Sequence, residues 1–386
     1  MTARAYWLAW SQIPGVGTIL LKRLHEQFGC VSVAWEADAV DLETVEGIGW
    51  QTVEVILKER QKLDPELLLE QHEQANPHFW TPADPDYPRW LFEIPDPPSV
   101  LYYRGQVERL ENQGMTPTVA IVGTRSPTDY GRRWTRRLSS TLAQVGFTIV
   151  SGLAEGIDTE AHQSCLAVGG RTIAVLGTGV DVVYPYFNRG LSKQIAKQGL
   201  LVSEYPAGTQ PDRVHFPRRN RIIAGLCQAT LVIEAPQKSG SLITARLANE
   251  YGRDVYVLPG TLDNPKARGC LQMLSQGAQL ILGESQLLEM LNALPRLEQS
   301  TLQQPTTEQL SLLSSPGRSH PAPVAEPANL EPELQQVLQA VAAEPVSLDL
   351  IVQNAGLATS AVLSALTRLE LMGLVSELPG MRYQRG

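Results

Sequence analysis

Cysteine is sparse in this chain. Its 386 residues hold four, Cys30, Cys165, Cys227 and Cys270, and no two form a Cys-x-x-Cys pair. That spacing excludes a disulfide framework and a thiolate zinc site, and leaves each thiol as a small apolar core residue in a reducing compartment. No apolar run approaches the roughly 18 residues needed to span a bilayer. Met1 to Gln12 lacks the basic start, apolar stretch and cleavage site of a signal peptide, so a cytoplasmic protein with no membrane contact is expected. There is no Gly-x4-Gly-Lys-Ser/Thr, which excludes phosphate hydrolysis of the P-loop kind. Gly177-Thr-Gly179 lacks the third glycine of a dinucleotide fingerprint: Val182 stands there, and the chain continues into Asp181-Val-Val-Tyr-Pro185 instead of a helix. His215 and Cys227 have no partners at metal-ligand spacing, so neither metal nor cofactor is expected. Asp158 and His162 sit four apart with Ser151 and Ser164 near, yet no strained nucleophile turn surrounds either serine, and no catalytic residue is assigned.

Positive charge is also in deficit overall. A net charge of −8 argues against a protein that coats nucleic acid wholesale. The deficit is uneven, however: between Thr118 and Gly225, Lys and Arg outnumber Asp and Glu by about six. The densest stretch is Asp212-Arg-Val-His-Phe-Pro-Arg-Arg-Asn-Arg-Ile-Ile-Ala-Gly-Leu226, with four arginines around Phe216. An apolar ring among cations has no reason to be there unless it packs inside or meets a base. The alternative, a merely solvated basic face, leaves Phe216 unexplained.

Residues 1–75 read as an all-helical domain of helix-hairpin-helix or SAM-like type. Ile13-Pro-Gly-Val-Gly17 and Val45-Glu-Gly-Ile-Gly49 each separate two helical patterns, and such turns offer free N–H groups to a phosphate. Few bases accompany them (Lys22, Arg23, Lys58, Arg60), so backbone gripping and simple scaffolding both stay open. Residues 76–117 are rich in proline and aromatics and should pack onto a neighbouring domain.

From Thr118 the pattern alternates strand and helix. Expected strands are Thr118–Val122, Thr148–Val150, Thr172–Leu176, Leu200–Val202, Thr230–Ile233, Val255–Leu258 and Leu280–Leu282. These are continuous apolar runs, as in a parallel sheet covered on both faces. The fold class is therefore α/β, a doubly wound Rossmann-like sheet, with the lead-in segment and sheet together spanning residues 76–292. The helix after the first strand should bury Trp134, Leu138, Leu142 and Val145 and expose Arg133, Arg136 and Arg137. Small residues gather where strands end: Gly123-Thr124-Arg125, Ser151-Gly152, Gly177-Thr-Gly179, and Lys238-Ser239-Gly240-Ser241. In open α/β sheets ligands lie outside those carboxyl ends, so the loops should wall an anion cleft. Asp158 and Ser241 read as helix caps.

Residues 293–329 are rich in Gln, Ser, Thr and Pro and read as a disordered linker. Residues 330–386 read as three helices and a short hairpin, a winged-helix domain. Its third helix should bury Leu363, Leu366, Leu369 and Met372. With Arg368 as that helix's lone base, an accessory or protein-contact role is expected rather than sequence-specific DNA binding.

Taken together, the motifs resemble one family, the DNA-processing protein A family (DprA, also called Smf). The similar segments are Ala120-Ile-Val-Gly-Thr-Arg125, Ser151-Gly-Leu-Ala-Glu-Gly-Ile-Asp158 with Ala161-His162, and Ala174-Val-Leu-Gly-Thr-Gly-Val-Asp181 with Tyr184-Pro185 and Asn188. Others are His215-Phe-Pro217, Arg219-Asn-Arg-Ile-Ile-Ala-Gly225, Ser239-Gly-Ser-Leu-Ile-Thr-Ala245 and Pro259-Gly260, with Tyr87-Pro88 and Pro97-Pro98 upstream. The resemblance implies a sequence-independent single-stranded DNA-binding protein that protects incoming strands and loads RecA recombinase onto them during natural transformation. It implies a homodimer through the Rossmann-like domain. It places DNA contacts at Gly123, Thr124, Arg125, Arg213, Phe216, Arg219, Asn220, Arg221 and Lys238 to Ser241; the strand-end loop and the basic stretch add Ser151, Gly152 and Arg218. The chain departs from the family pattern at Leu271, where asparagine is usual, and at Cys227 and Cys165, which replace serine and alanine. The competing class is an enzyme, a nucleotide phosphoribohydrolase of the lysine-decarboxylase-like group. That group uses a Pro-Gly-Gly-x-Gly-Thr-x-x-Glu loop, whereas here the turn is Glu234-Ala-Pro-Gln-Lys-Ser-Gly-Ser241.

Overall fold

The computed structural model describes residues 2–76, 78–292, 332–341, 346–357, 359–371, 374–378 and 382–385. The linker expected over 293–329 lies outside the described residues. Those through 292 form one compact unit and those from 332 another.

The first unit is built on a nine-stranded sheet. Its strands are β1 (Phe79–Trp80), β2 (Leu101–Gly105), β3 (Thr118–Val122), β4 (Thr148–Ser151), β5 (Thr172–Val175), β6 (Leu200–Ser203), β7 (Ala229–Val232), β8 (Asp254–Val257) and β9 (Gln279–Leu280). They are ordered β1-β2-β6-β5-β4-β3-β7-β8-β9. From β6 to β9 every pairing is parallel. Strands β3 to β7 are buried at every residue, which explains their unbroken apolar runs. The chain starts in the middle at β3, winds outward to β6, then returns to wind the other way from β7. The order therefore reverses between β3 and β7.

The seven expected strands are all present, displaced by a residue or so. The antiparallel β1 and β2 were not expected. They lie in the proline-rich segment, where Trp80 stacks on Tyr103 with ring centroids 4.0 Å apart. In the helix Asp129–Gln144, Leu138 and Leu142 are buried and Trp134 packs beside them. Val145, expected on that stripe, is exposed: it follows the last helical residue and turns out of register with it.

Six helices precede β1: Ala3–Ser11, Thr18–Phe28, Val31–Glu36, Ala39–Glu43, Trp50–Arg60 and Pro65–Ala75. They enclose their own core, in which the indole of Trp10 donates to the carbonyl of Val31 at 2.9 Å. Their outer face is not a separate body, because Ala5, Leu8 and Leu69 share a buried cluster with Phe79, Val100 and Tyr102 of the sheet edge. The Arg4 guanidinium lies 3.9 Å over the Phe79 ring. The boundary expected after residue 75 thus carries continuous apolar packing.

In the second unit, helices Pro332–Ala340, Leu348–Ala355 and Thr359–Leu371 accompany a small antiparallel sheet of Val346–Ser347, Val375–Leu378 and Arg382–Arg385. Leu366 and Leu369 are buried with Val362 and Ala365. Leu363, expected beside them, is 39% exposed. Three residues before Leu366 and six before Leu369, it falls at the rim of the buried stripe, whose centre is held by Val362 and Ala365. Met372 lies outside the described residues.

Candidate nucleic-acid interface

The reversal between β3 and β7 sets the position of the cleft. The loops leaving their carboxyl ends must diverge, and the crevice between them is where open α/β sheets take ligands. Here it is an open groove of about 720 Å³, walled by Gly123-Thr124-Arg125 after β3 and by Lys238 to Ser241 after β7. Its third wall is the helix His215–Gly225, which contributes Phe216, Pro217, Asn220 and Ile223, with Arg213 just before it. Phe216, Asn220 and Ile223 are spaced four and three apart, so one face of this helix looks into the groove.

Each loop is held by hydrogen bonds within it and from neighbouring segments. Thr124 donates its amide to the carbonyl of Glu234 at 2.7 Å, and its hydroxyl accepts from the amide of Ser126 at 3.3 Å. The side chain of Lys266 donates to the Ser126 carbonyl. Across the groove, the hydroxyls of Ser239 and Ser241 are 2.7 Å apart, and the Asn220 amide donates to the Gly240 carbonyl at 3.1 Å. Ser241, expected to cap a helix, is instead the first residue of the helix Ser241–Glu250, and Ser239 accepts its amide hydrogen at 3.3 Å. Asp158 likewise is no N-cap. It lies in the first turn of the helix Ile157–Ala167 and accepts from the amides of Gly152 and Ala154, clasping the loop after β4.

Phe216 is half-buried on the groove floor. Gly177 makes room for it: a Cβ there would come within 2.9 Å of the Phe216 ring. The Tyr184 ring lies 5.5 Å away, tilted by 37°, and the Arg125 guanidinium is 5.9 Å from the ring centroid. His215, next along the helix, stacks on Tyr205 at 3.9 Å, and its Nδ1 lies 3.1 Å from the carbonyl of Gly177. The ring is thus oriented from below and beside, and its remaining surface faces the groove.

The arginines divide sharply by what surrounds them. Arg125, Arg213, Arg218 and Lys238 are exposed and take part in no ion pair among the described residues. Arg219 is only 5% exposed. Its guanidinium donates to the carbonyls of Gly152, at 2.6 Å, and Val175, tying the ends of β4 and β5 together. Burial lowers its pKa to about 10, against the opposing pull of Asp158, and it remains charged at neutral pH. Burial pushes the Asp158 carboxyl up, and nearby Arg219 pulls it back down. The same burial, with Arg219 adding to it, depresses His162 to about 3; its Nδ1 sits 2.7 Å from the Thr172 hydroxyl. His162 is therefore a buried core residue held neutral.

Two of the expected contacts, Arg221 and Ser151, are engaged within the protein. Arg221 points away from the groove, into ion pairs with Asp96 at 3.2 Å and Glu204 at 2.6 Å. It is five residues on from Phe216, which rotates it to the opposite side of the helix. Ser151 is buried, and its hydroxyl donates to the Ile121 carbonyl at 2.6 Å. Arg219 lines the groove and its side pocket, with its guanidinium turned onto the carbonyls of Gly152 and Val175. Gly152 lines a small side pocket that adjoins the groove with Tyr184, Pro185 and Glu155. Arg218 is exposed on the helix but outside the groove lining. Leu271, at the departure from the family pattern, does not line the groove either.

Two contributors carried little signal in the sequence. Tyr184 lines the groove; it stood out within Asp181-Val-Val-Tyr-Pro185, which leaves a strand without opening a helix, and as part of the family motif, but neither marked it as a contact. Glu234 is buried, and its carboxylate accepts from the amide of Thr128 at 2.8 Å and from the Thr128 hydroxyl. It therefore already neutralises the start of the helix Asp129–Gln144, which would otherwise attract an anion. No charge periodicity could have revealed that closure.

The N-terminal glycine turns contrast with the groove. Gly15 and Gly47 adopt positive φ, and Gly17 and Gly49 precede the helices Thr18–Phe28 and Trp50–Arg60, the geometry expected of phosphate-gripping turns. Yet Lys22 donates to the carbonyls of Glu93 and Ile94, Arg23 pairs with Glu46, and Arg60 donates to the carbonyls of Trp35 and Ala37. Of the four bases counted there, Lys58 alone is exposed without such a partner among the described residues.

Residues 78–292 match the family model of the DNA recombination-mediator protein A, and residues 320–381 match a DprA winged helix domain. The chain is 53% identical to the protein Smf of Synechocystis sp. over 392 residues, covering 99% of this chain and 98% of that protein. It is 43% identical to the DNA processing protein DprA of Bacillus subtilis over 203 residues, 53% of this chain and 67% of the other. The X-ray structure of DNA processing protein A from Streptococcus pneumoniae superposes with a TM-score of 0.64 at 36% identity, over 75% of this chain and 98% of that one. A DNA processing protein A from Helicobacter pylori, described with a unique single-stranded DNA binding mode, superposes at 0.50 with 33% identity, over 55% and 95%.

Proposed function

The chain belongs to the DNA recombination-mediator protein A family, and from that premise we propose that it is a sequence-independent single-stranded DNA-binding protein. It protects incoming strands and loads RecA recombinase onto them during natural transformation, acting as a homodimer through the Rossmann-like domain. One observation carries the DNA reading: exposed Arg125, Arg213 and Lys238 rim a groove whose floor presents an oriented, half-buried Phe216. Cations on the rim suit a phosphate chain, and a ring on the floor suits an unpaired base. The comparison with the Helicobacter pylori protein supports the same ligand.

The enzymatic alternative would need a carboxylate free to act near a ribose. Glu234 is engaged with Thr128, and Asp158 with two backbone amides. Glu155 in the adjoining side pocket is exposed, so we rest the assignment of binding without turnover on the turn Glu234 to Ser241, which lacks the enzyme group's loop pattern. Salt-titrated binding to an oligothymidylate and to a duplex of equal length tests this reading, alongside a nucleotide-hydrolysis assay on the same preparation. Tighter binding to the single strand with no base released is expected. Equal affinity for both, or steady release of base, would refute it.

A further inference from the structure

From the groove outward, three large aromatic side chains stand exposed on one short turn: Tyr184 at 45%, Tyr186 at 72% and Phe187 at 62%. Leaving such rings in water is unfavourable, and three within four residues form a patch that calls for an occupant. The turn that bears them is firmly held. Asn188, buried beneath it, donates its amide to the carbonyl of Leu153 at 3.0 Å and to the Thr159 hydroxyl at 2.9 Å. The Thr178 hydroxyl donates to the Val182 carbonyl at 2.6 Å, and Val183 packs into an apolar cluster below. The rings therefore sit on a preformed support.

The patch is continuous with the groove. Tyr184 lines both the groove and the adjoining side pocket, and its ring meets that of Phe216. At the far end, Arg189 lies 5.7 Å from the Tyr186 ring centroid and donates to its hydroxyl at 3.1 Å. Along the turn the charge is mixed, with Glu155 exposed beside Tyr184, so flat faces rather than phosphates are what this surface can recognise.

We propose that the turn Tyr184 to Arg189 is a second base platform, on which bases flanking the groove-bound segment of the same single strand stack as they leave Phe216. This rests on the single-strand reading above. Stacking on aromatic faces is tolerant of sequence, because every base has such a face, so the platform lengthens the footprint without adding a preference.

The test uses the full chain and oligothymidylates from about 4 to 16 nucleotides, the range of site sizes known for stacking platforms. For the variant Tyr186→Ala/Phe187→Ala, affinity for the shortest oligonucleotides should stay within about twofold of wild type, and affinity for the longest should fall about tenfold with an unchanged salt slope. Both side chains are exposed, so the melting temperature should not move. Phe187→Trp should keep long-strand affinity, its fluorescence quenched by long oligonucleotides and not by short ones. A loss equal at every length, or none at the longest, would overturn the platform; in the second case the patch faces a protein partner instead. Failure of the wild type to bind any single strand would instead sink the reading on which this one rests.

Discussion

The glycine turns at Ile13–Gly17 and Val45–Gly49 and the loops that wall the groove are built from similar parts: a tight turn, a helix start and nearby cations. They differ in what surrounds the cations. In the N-terminal region Lys22, Arg23 and Arg60 are engaged by carbonyls or by Glu46, and they hold helices in place. At the groove Arg125, Arg213 and Lys238 project into solvent. The same division recurs within a single helix, where Arg219 and Arg221 are buried and Arg218 is exposed. Residue type and turn geometry do not mark a phosphate site by themselves. What marks it is whether the charge is left without a protein partner.

The largest expected effect comes from the buried side of this comparison. Arg219→Ala leaves the carbonyls of Gly152 and Val175 without a donor and Asp158 without its nearby positive charge. It should cost about 3–5 kcal/mol of stability, as breaking a buried ionic arrangement does. Adding Asp158→Asn should restore part of that loss, which a double-mutant cycle in urea would measure. If Arg219→Ala melts like wild type and only weakens DNA binding, Arg219 touches the strand from the surface and its role as a tie between strands is mistaken.

Next in size is Phe216. Its removal should weaken single-strand binding by about 1–3 kcal/mol while leaving the salt slope nearly intact, since a ring neutralises no phosphate. Phe216→Trp should largely preserve affinity. Because the ring is half-buried, a parallel melting curve is needed, and binding loss that tracked unfolding would make Phe216 a packing residue only.

Much of this architecture was legible in the sequence, because continuous apolar runs such as Thr118–Val122 are dictated by burial on both faces of a sheet. The antiparallel strands Phe79–Trp80 and Leu101–Gly105 were not, since the first is two residues long and prolines interrupt the segment that holds both. At the site, the loops and Phe216 were legible as composition, an apolar ring amid cations. The inward turn of Arg219 and Arg221 was not, because Asp96, Glu204 and the carbonyls they meet are remote in the chain. Nor was the closure of a helix start by Glu234, 106 residues from Thr128.

The contrast between exposed and engaged cations is tested most directly by the salt dependence of single-strand binding in two variants. For Arg125→Ala/Arg213→Ala/Lys238→Ala, the slope of log affinity against log salt should fall by about 2, because each single-strand phosphate left without its cation removes about 0.7. For Lys22→Ala/Arg23→Ala in the N-terminal turns, where both cations are engaged, the slope should match wild type. A slope that falls in the N-terminal variant and holds in the groove variant would contradict the account and move the DNA backbone to the helical region.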